Sequence, residues 1–440
     1  MASIAQKSLF CWHDVEALGD LHRLRLVLEN LPDEELMQQL EQRRGRGRNE
    51  YPVRAMWNSL VAGIVFQHPS IEQLRRELLR NGQLRDLCGC DPTRGSDAVP
   101  SASAYSRFLS TLRKRSIREA LVRVFTSLVD QCYRELPGFG RRLGADGKGI
   151  ASVARRRGKG AGDRRGEHDA DWGCHEYVYQ NERGEVQKSV KKWFGFTVHL
   201  LADTAYELPV AFTVSRASKH EVPVMRKLIR SLDRHRPHIL KAAEVFTADR
   251  GYDDGTLIDL LWHEHRIKPV IDIRNLWKDG EQTRLVPGTR NVVYDYQGTV
   301  SCVCMATGTQ REMAYRGFEE KRGTLKYGCP AVHYGYECAG KASCPLASCI
   351  RIPLSTDRRV FTPLARSSYR WKREYAKRTA LERIHSRLDR SFSLELHTIR
   401  GQEKLSVHLT LVFSVMSALA LGRVRENQPN QMRSLVRPAA

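Results

Sequence analysis

The chain has 440 residues, with 72 Lys and Arg against 50 Asp and Glu and a formal charge of +22. That length supports two or three domains with sizeable cores, and the charge selects for a polyanion, whose phosphates such a field attracts in a salt-dependent way. Neither a membrane span nor a secretory leader is expected. The most apolar stretch, Leu409 to Leu421, is interrupted by Ser414 and Ser417 and is shorter than the roughly 18 residues a span needs, while Met1 to Leu21 carries Asp14, Glu16 and Asp20. A buried C-terminal helix and a cytoplasmic protein are expected.

In chain order, residues 14–42 have helix-forming composition and run into a basic, Gly-rich segment, Arg43, Arg44, Gly45, Arg46, Gly47 and Arg48. Residues 51–134 read as all-helical. Ser70 opens one helix with Gln73 at the capping-box distance, Leu74, Leu78 and Leu79 form its apolar face, and Asn81-Gly82 stops it. Val99-Pro-Ser101 opens another, carrying Tyr105, Phe108, Leu109 and Leu112. Residues 1–135 are therefore expected to form a helical, DNA-binding N-terminal domain. Its cations Arg75, Arg76, Arg107, Arg113, Lys114 and Arg115 serve equally well as a solvated face or a DNA contact.

From Arg142 the pattern changes. Strands are predicted at 142–146, 192–202, 208–215, 244–249 and 267–273, with helices at 220–233 and 255–265, giving a mixed α/β fold with a sheet covered by helices. Between the first two strands lies a second basic loop, Arg155, Arg156, Arg157, Lys159, Arg164 and Arg165, rich in Gly and without apolar periodicity. Asp146 and Asp249 each end an apolar run that enters a Gly-containing turn, as expected for metal ligands at the carboxyl ends of buried strands. Asp203 is predicted in a hairpin turn, and Asp253 and Asp254 as caps of the helix near Gly255. Gly147-Lys148-Gly149 lacks the spacing of a phosphate-binding loop, and His263-Glu264-His265 lacks that of a zinc protease.

Residues 275–365 hold six of the eleven cysteines, Cys302, Cys304, Cys329, Cys338, Cys344 and Cys349. In a cytoplasmic protein such a cluster favours a structural zinc over disulfides, and His333 is a further ligand candidate. The other five cysteines, Cys11, Cys88, Cys90, Cys132 and Cys174, are scattered. The segment is expected to be a Cys-rich insertion that divides the catalytic fold into residues 140–274 and 366–422, with a flexible tail at 423–440.

The stretch from Tyr369 to Arg390 has no Pro or Gly and is predicted as one helix. Tyr375, Arg378 and Glu382 fall at i, i+3 and i+7 on its polar face, with Leu381, Ile384 and Leu388 as the neighbouring apolar stripe. Separated carboxylates such as Asp146, Asp249 and Glu382, brought together by a fold, make the usual cage for two Mg²⁺ ions in phosphodiester chemistry. Glu374 is expected to point away from the Tyr375 face.

Tyr375-x2-Arg378-x3-Glu382 resembles the signature helix of the DDE transposases of bacterial insertion sequences, and Asp146 and the run Asp249-Arg-Gly-Tyr252 match the places where that family keeps its other two acids. Residues 51–134 resemble the helical domain that precedes its catalytic core. The resemblance implies a ribonuclease-H-like core and an enzyme that cuts and joins DNA with Asp146, Asp249 and Glu382 holding two Mg²⁺ or Mn²⁺ ions. It also implies that Tyr375 and Arg378 contact DNA, that the partners are terminal inverted repeats and target DNA bound by a homodimer, and that the protein works at the bacterial nucleoid. One position departs: the family's terminal Lys of the signature helix is Asp389 here, with Arg387 and Arg390 as possible replacements. A metal-dependent nuclease that does not join, or a domesticated DNA-binding protein, is the alternative.

Overall fold

The computed structural model describes residues 19–46, 50–155, 166–180, 186–346 and 348–435. Arg48, Arg156, Arg157, Lys159, Arg164, Arg165 and Cys11 lie outside the described residues, so of the second basic loop only Arg155 has a described position.

The N-terminal part is helical, with α1 (His22–Asn30), α2 (Glu34–Arg44), α3 (Val53–Val65), α4 (Ile71–Arg80), α5 (Gly82–Leu87), α6 (Ala102–Leu112) and α7 (Arg115–Glu135). The sequence signals act locally as expected. The Ser70 hydroxyl accepts from Gln73 N–H, Asn81 both ends α4 and caps α5 by accepting from Leu84 N–H, and Ser101 caps α6 through Ala104 N–H. Each cap satisfies a backbone donor the helix itself leaves unpaired.

The main sheet holds β1 (Arg142–Ala151), β2 (Asp171–Gln180), β3 (Val186–Asp203), β4 (Leu208–Arg216), β5 (Val245–Ala248) and β6 (Lys268–Ile271). Its central order is β4-β3-β1-β5-β6: β3 runs antiparallel to β1 and β4, whereas β1, β5 and β6 are parallel. Helices α8 (Glu221–His235) and α9 (Pro237–Ala242) connect β4 to β5, and α10 (Gly255–Asp259) with a following π-turn connects β5 to β6. The five predicted strands are present. β2 has no counterpart among them because it and the first half of β3 form a hairpin whose Trp172 and Val190 stay exposed, leaving no buried alternation to read.

Residues 284–353 form two smaller sheets, β7 (Arg284–Leu285) to β10 (Gln310–Glu312) by way of β8 (Val292–Tyr294) and β9 (Val300–Val303), and β11 (Ala314–Glu319), β12 (Thr324–Gly328) and β13 (Cys349–Pro353). Trp262, Val292, Tyr294, Leu325, Tyr327 and Phe361 build a separate core for this segment.

Where one helix was predicted from Tyr369 to Arg390 there are two, α12 (Tyr369–Ala376) and α13 (Thr379–Arg390). At the break, Arg378 N–H bonds Tyr375 O and Leu381 N–H bonds Arg378 O, three residues back rather than four. The cause is tertiary. Trp371 packs with Val245, Val270 and Leu364, whereas Leu381, Ile384 and Leu388 enter the main core, so the two halves serve different surfaces.

The C-terminal helix α14 (Gln402–Arg425) is long and apolar enough to cross a membrane, yet 89% of its apolar window is buried in the protein. It packs against α1, α3, α7 and β4, and one hydrophobic core runs from Leu21 through the sheet to Leu435. The expected tail is corrected accordingly, because Arg423, Met432 and Leu435 are buried and the last two belong to the core.

Candidate active site

Asp146 sits in β1 and Asp249 follows the last residue of β5. Ala145 and Ala248 are register partners on these parallel strands, so the two aspartates leave neighbouring strands side by side, about 4.8 Å apart along the hydrogen-bonding direction. Each carboxylate accepts a local backbone donor: Asp146 Oδ1 from Gly147 N–H at 2.9 Å and Asp249 Oδ1 from Gly251 N–H at 2.8 Å. Burial, followed by the charge of Asp249, pushes the Asp146 carboxyl up to about 7.

α13 crosses β1 closely because Gly144 leaves room for it. A Cβ there would stand 3.1 Å from Leu381 and 2.6 Å from Thr204. This contact sets Glu382 and His385 beside the aspartates. Glu382 is exposed, and its carboxylate accepts from Arg378 Nη2 at 2.7 Å. Arg378 in turn acts electrostatically on Asp146, Asp249 and Glu382, so its guanidinium is the cation that joins the helix acid to the strand acids. The ring of Tyr375 lies 5.8 Å below that guanidinium and stacks on Trp371 with centroids 4.9 Å apart. His385 Nδ1 is 3.6 Å from Asp146 Oδ2. Burial, then the charges of Lys148 and Arg378, push His385 down to about 4, so the ring is neutral at pH 7, and its Nε2 is buried without a partner.

Three residues of this cluster, His385, Glu221 and Lys148, carry no sequence signal of their own, and a fourth, Tyr252, stands out only as the end of the Asp249-Arg-Gly-Tyr252 run. Glu221 opens α8, and its carboxylate lies against Gly147 and Gly251: a Cβ at Gly147 would meet Glu221 Oε1 at 2.2 Å, and one at Gly251 would meet Glu221 Oε2 at 3.1 Å and Asp249 Oδ1 at 2.9 Å. Burial and the charges of Asp249 and Asp146 raise the Glu221 carboxyl to about 7. The only hint in the sequence is an acid in the first turn of a helix, which is commonplace. Lys148 Nζ bonds Asp389 Oδ2 at 2.6 Å, so the cation at that end of α13 comes from β1. Arg387, expected as a replacement there, is instead committed to Glu207 at 3.4 Å.

The other acids near these elements are structural. Asp203 is buried in the β3–β4 turn and accepts from Ala205, Tyr206 and Gly140 N–H. Asp254 caps α10 through Leu257 N–H, but Asp253, expected to share that role, is buried in an ion pair with Arg359. Glu374 is buried between Lys377 and Arg142.

Among the described residues, no three His, Cys, Asp or Glu side chains stand in a closed metal-binding arrangement. In the cysteine segment, Cys338 Sγ is 3.8 Å from Cys304 Sγ, and Asn291 Nδ2 is 3.4 Å from Cys344 Sγ. The Cys304 thiol is drawn down to about 6 by the Thr307 hydroxyl and by the backbone N–H groups of Ala306, Thr307 and Gly340. Cys302 is pushed up to about 11 by burial and then by Cys329, Cys338 and Cys344. Cys349 lies in β13, paired in register with Gly328, the neighbour of Cys329.

Compared with known families, residues 165–417 match the family described as Transposase DDE domain, and residues 14–111 match the one described as Transposase domain (DUF772). The first span includes Asp249, Tyr375, Arg378 and Glu382 and begins after Asp146. No curated protein matches the chain. Among solved structures, it is similar to a piggyBac transposase synaptic complex with hairpin DNA, at 12% identity and a TM-score of 0.29, over 98% of this chain and 88% of that one; a superposition so loose bears no further weight.

Proposed function

The chain belongs to the Transposase DDE domain family, and from that premise we propose that Asp146, Asp249 and Glu382 are the acids with which this transposase cuts DNA and joins the freed end to a target. The observation that carries the assignment is the parallel register of β1 and β5, which sets two aspartates side by side, with the guanidinium of Arg378 bonded to Glu382 and acting electrostatically on both aspartates. The central order β4-β3-β1-β5-β6, with its antiparallel and parallel halves, supports a ribonuclease-H-like core, and the separate hydrophobic core of the cysteine segment supports an insertion at residues 275–365 within it.

The donor set suits a hard divalent cation. Among the described residues neither Asp146 nor Glu221 is hydrogen-bonded to a Lys or Arg, and the one basic ring beside Asp146, His385, is neutral at pH 7; oxygen ligands of this kind prefer Mg²⁺ or Mn²⁺. When bound, two such ions supply Lewis-acid stabilisation of the attacking and leaving oxygens. Asp146, Asp249 and Glu382 would hold them, with the Gly147 and Gly251 N–H groups orienting the two strand carboxylates. Arg378, which bonds Glu382, would contact a DNA phosphate. Tyr375, propped on Trp371, offers its edge to the backbone. Lys148 takes the place of the Lys that the family carries on the signature helix, with Asp389 as its counterion. Arg155 and the basic loop that follows it contact the duplex. The protein acts as a homodimer on paired terminal inverted repeats, in the bacterial nucleoid.

Cys304 and Cys338, with others of Cys302, Cys329, Cys344 and Cys349, hold one structural zinc. The Cys304–Cys338 separation and the hydrogen bonds that favour the Cys304 thiolate support this.

A strand-transfer assay on the element's own ends tests the function. Nicking followed by joining is expected in Mg²⁺ or Mn²⁺. Nicking without joining would make the chain a plain nuclease, and binding without either would make it a domesticated DNA-binding protein.

A further inference from the structure

We propose that Glu221 is a fourth carboxylate of the metal site, a ligand that reaches Asp249 and Asp146 from the side of the sheet edge opposite α13. The inference rests on the reading of Asp146 and Asp249 as metal ligands and extends it to a residue on a different element.

The packing around two glycines carries it. Glu221 belongs to the first turn of α8, where an acid ordinarily interacts with the helix's own free N–H groups. Among the described residues, Glu221 makes no such bond and no ion pair. Its carboxylate is turned instead onto the backbone of the two loops that hold the strand acids. Oε1 occupies the space a Cβ of residue 147 would need, 2.2 Å from it, and Oε2 lies 3.1 Å from the Cβ position of residue 251. That second point is 2.9 Å from Asp249 Oδ1, so the two carboxylates share one small space. Glycine at both positions is what lets them approach.

Three carboxylates gathered in a mostly buried space repel one another unless protons or cations intervene. Arg378 answers part of that need on the α13 side, where it bonds Glu382, but no cation among the described residues contacts the Glu221 side. Tyr252 gives a second, independent pointer. It is fully buried, its hydroxyl has no hydrogen-bond partner, and that hydroxyl is subject to the charges of Glu221, Asp146 and Asp249. An orphaned buried hydroxyl costs stability unless something meets it there, and a hydrated cation held by the carboxylates brings a water to do so. Glu221 and Asp249 together then bind one cation from two elements.

The test is binding of Mn²⁺ alone to the full chain without DNA, read by calorimetry, with melting curves recorded with and without the ion. Glu221→Gln should weaken Mn²⁺ binding by about tenfold or more and shrink the Mn²⁺-induced rise in melting temperature, while the metal-free variant melts higher than the metal-free parent because one repelling charge is gone. Gly147→Ala keeps the charge but forces the carboxylate aside, and should also weaken Mn²⁺ binding. If Asp249→Asn loses Mn²⁺ binding while Glu221→Gln and Gly147→Ala retain it, Glu221 is not a ligand and the site assignment stands without it. If Asp249→Asn and Asp146→Asn both bind Mn²⁺ as the parent does, the site assignment itself falls and this inference falls with it.

Discussion

Two groups of acids with little exposure lie in this protein, one fully buried and one partly buried, and their partners differ. Asp253 receives two bonds from Arg359, at 2.5 Å and 3.1 Å, and one from Arg274 N–H at 2.9 Å. Glu207 is surrounded by Arg383, Arg387 and Arg433, and Glu374 lies between Lys377 and Arg142. Each of these carboxylates is compensated within the protein and has nothing to offer a ligand. Among the described residues, Asp146 and Asp249 accept only from backbone N–H groups, apart from the neutral His385 ring 3.6 Å from Asp146, Glu221 has no hydrogen bond or ion pair, and the three face one another. Burial alone therefore does not single out a functional acid. What distinguishes it is burial without a partner, because that is the state a cation would relieve.

Removing one carboxylate charge from each group tests this distinction most severely. Asp146→Asn, Asp249→Asn and Glu382→Gln should each lower both nicking and joining by about 10³-fold or more, since several kcal/mol of metal-held stabilisation is lost. Asp253→Asn and Glu374→Gln should leave the rate per folded molecule within a few-fold of the parent. A Glu382→Gln protein that nicks at nearly the parent rate, or a Glu374→Gln protein that does not nick, would reverse the assignment.

The cysteine segment adds a third case, in which the gathered groups are thiols. Elemental analysis of protein purified without added metal should find about one zinc per chain, and a strong chelator should melt β7 to β13 ahead of the main sheet. Fully folded, zinc-free protein would remove the zinc site.

The compensated acids should matter for stability instead. Asp253→Asn strands Arg359 half-buried and should cost about 3 kcal/mol in denaturant unfolding. A cost near zero would mean that Arg359 finds water easily and that this pair is not structural.

The uncompensated acids leave a pH signature in the metal-free protein. Asp146 and Glu221 are raised to about 7 by burial and by neighbouring carboxylates. Between pH 4 and 7 the folded state therefore binds more protons than the unfolded chain, and their contribution to stability falls as pH rises. Buried His199, His385 and His408, each pushed down to about 4, work in the opposite sense over the same range. The difference between the parent and Asp146→Asn isolates the carboxylate, at about 1.4 kcal/mol per pH unit for each proton, and saturating Mg²⁺ should abolish it. Identical pH profiles for the two proteins would mean that Asp146 titrates normally.

The smallest effect is expected at the basic loop. Neutralising Arg155, Arg156, Arg157, Lys159, Arg164 and Arg165 together should flatten the slope of log K against log salt by roughly 0.9 for each DNA phosphate that the loop no longer neutralises, with cleavage at saturating DNA little changed. An unaltered slope would turn this loop away from the duplex.

Much of this protein is legible in its sequence, for reasons that are local. Caps at Ser70, Asn81 and Ser101 follow from side chains that bond their own helix's first N–H groups, the Asp203 turn follows from a short acceptor after a strand, and the five strands with buried faces follow from apolar runs. Asp146, Asp249, Tyr375, Arg378 and Glu382 stand out by their position after such runs or by helical spacing. Other features depend on contacts between distant segments. No local residue marks the break between α12 and α13, which exists because Trp371 and Leu381 pack into different cores. The sequence pattern for residues 423–435 reads as a tail, but Met432 and Leu435 are buried with the N-terminal helices. Neither the pairing of Lys148 with Asp389, 241 residues apart, nor the approach of Glu221 to Gly147 and Gly251 follows from spacing along the chain. Which residues carry charge and which faces are apolar is written in the order of the residues. Which charges meet a partner and which are left facing one another is settled by packing, because compensation depends on through-space distance between elements that the chain order keeps far apart.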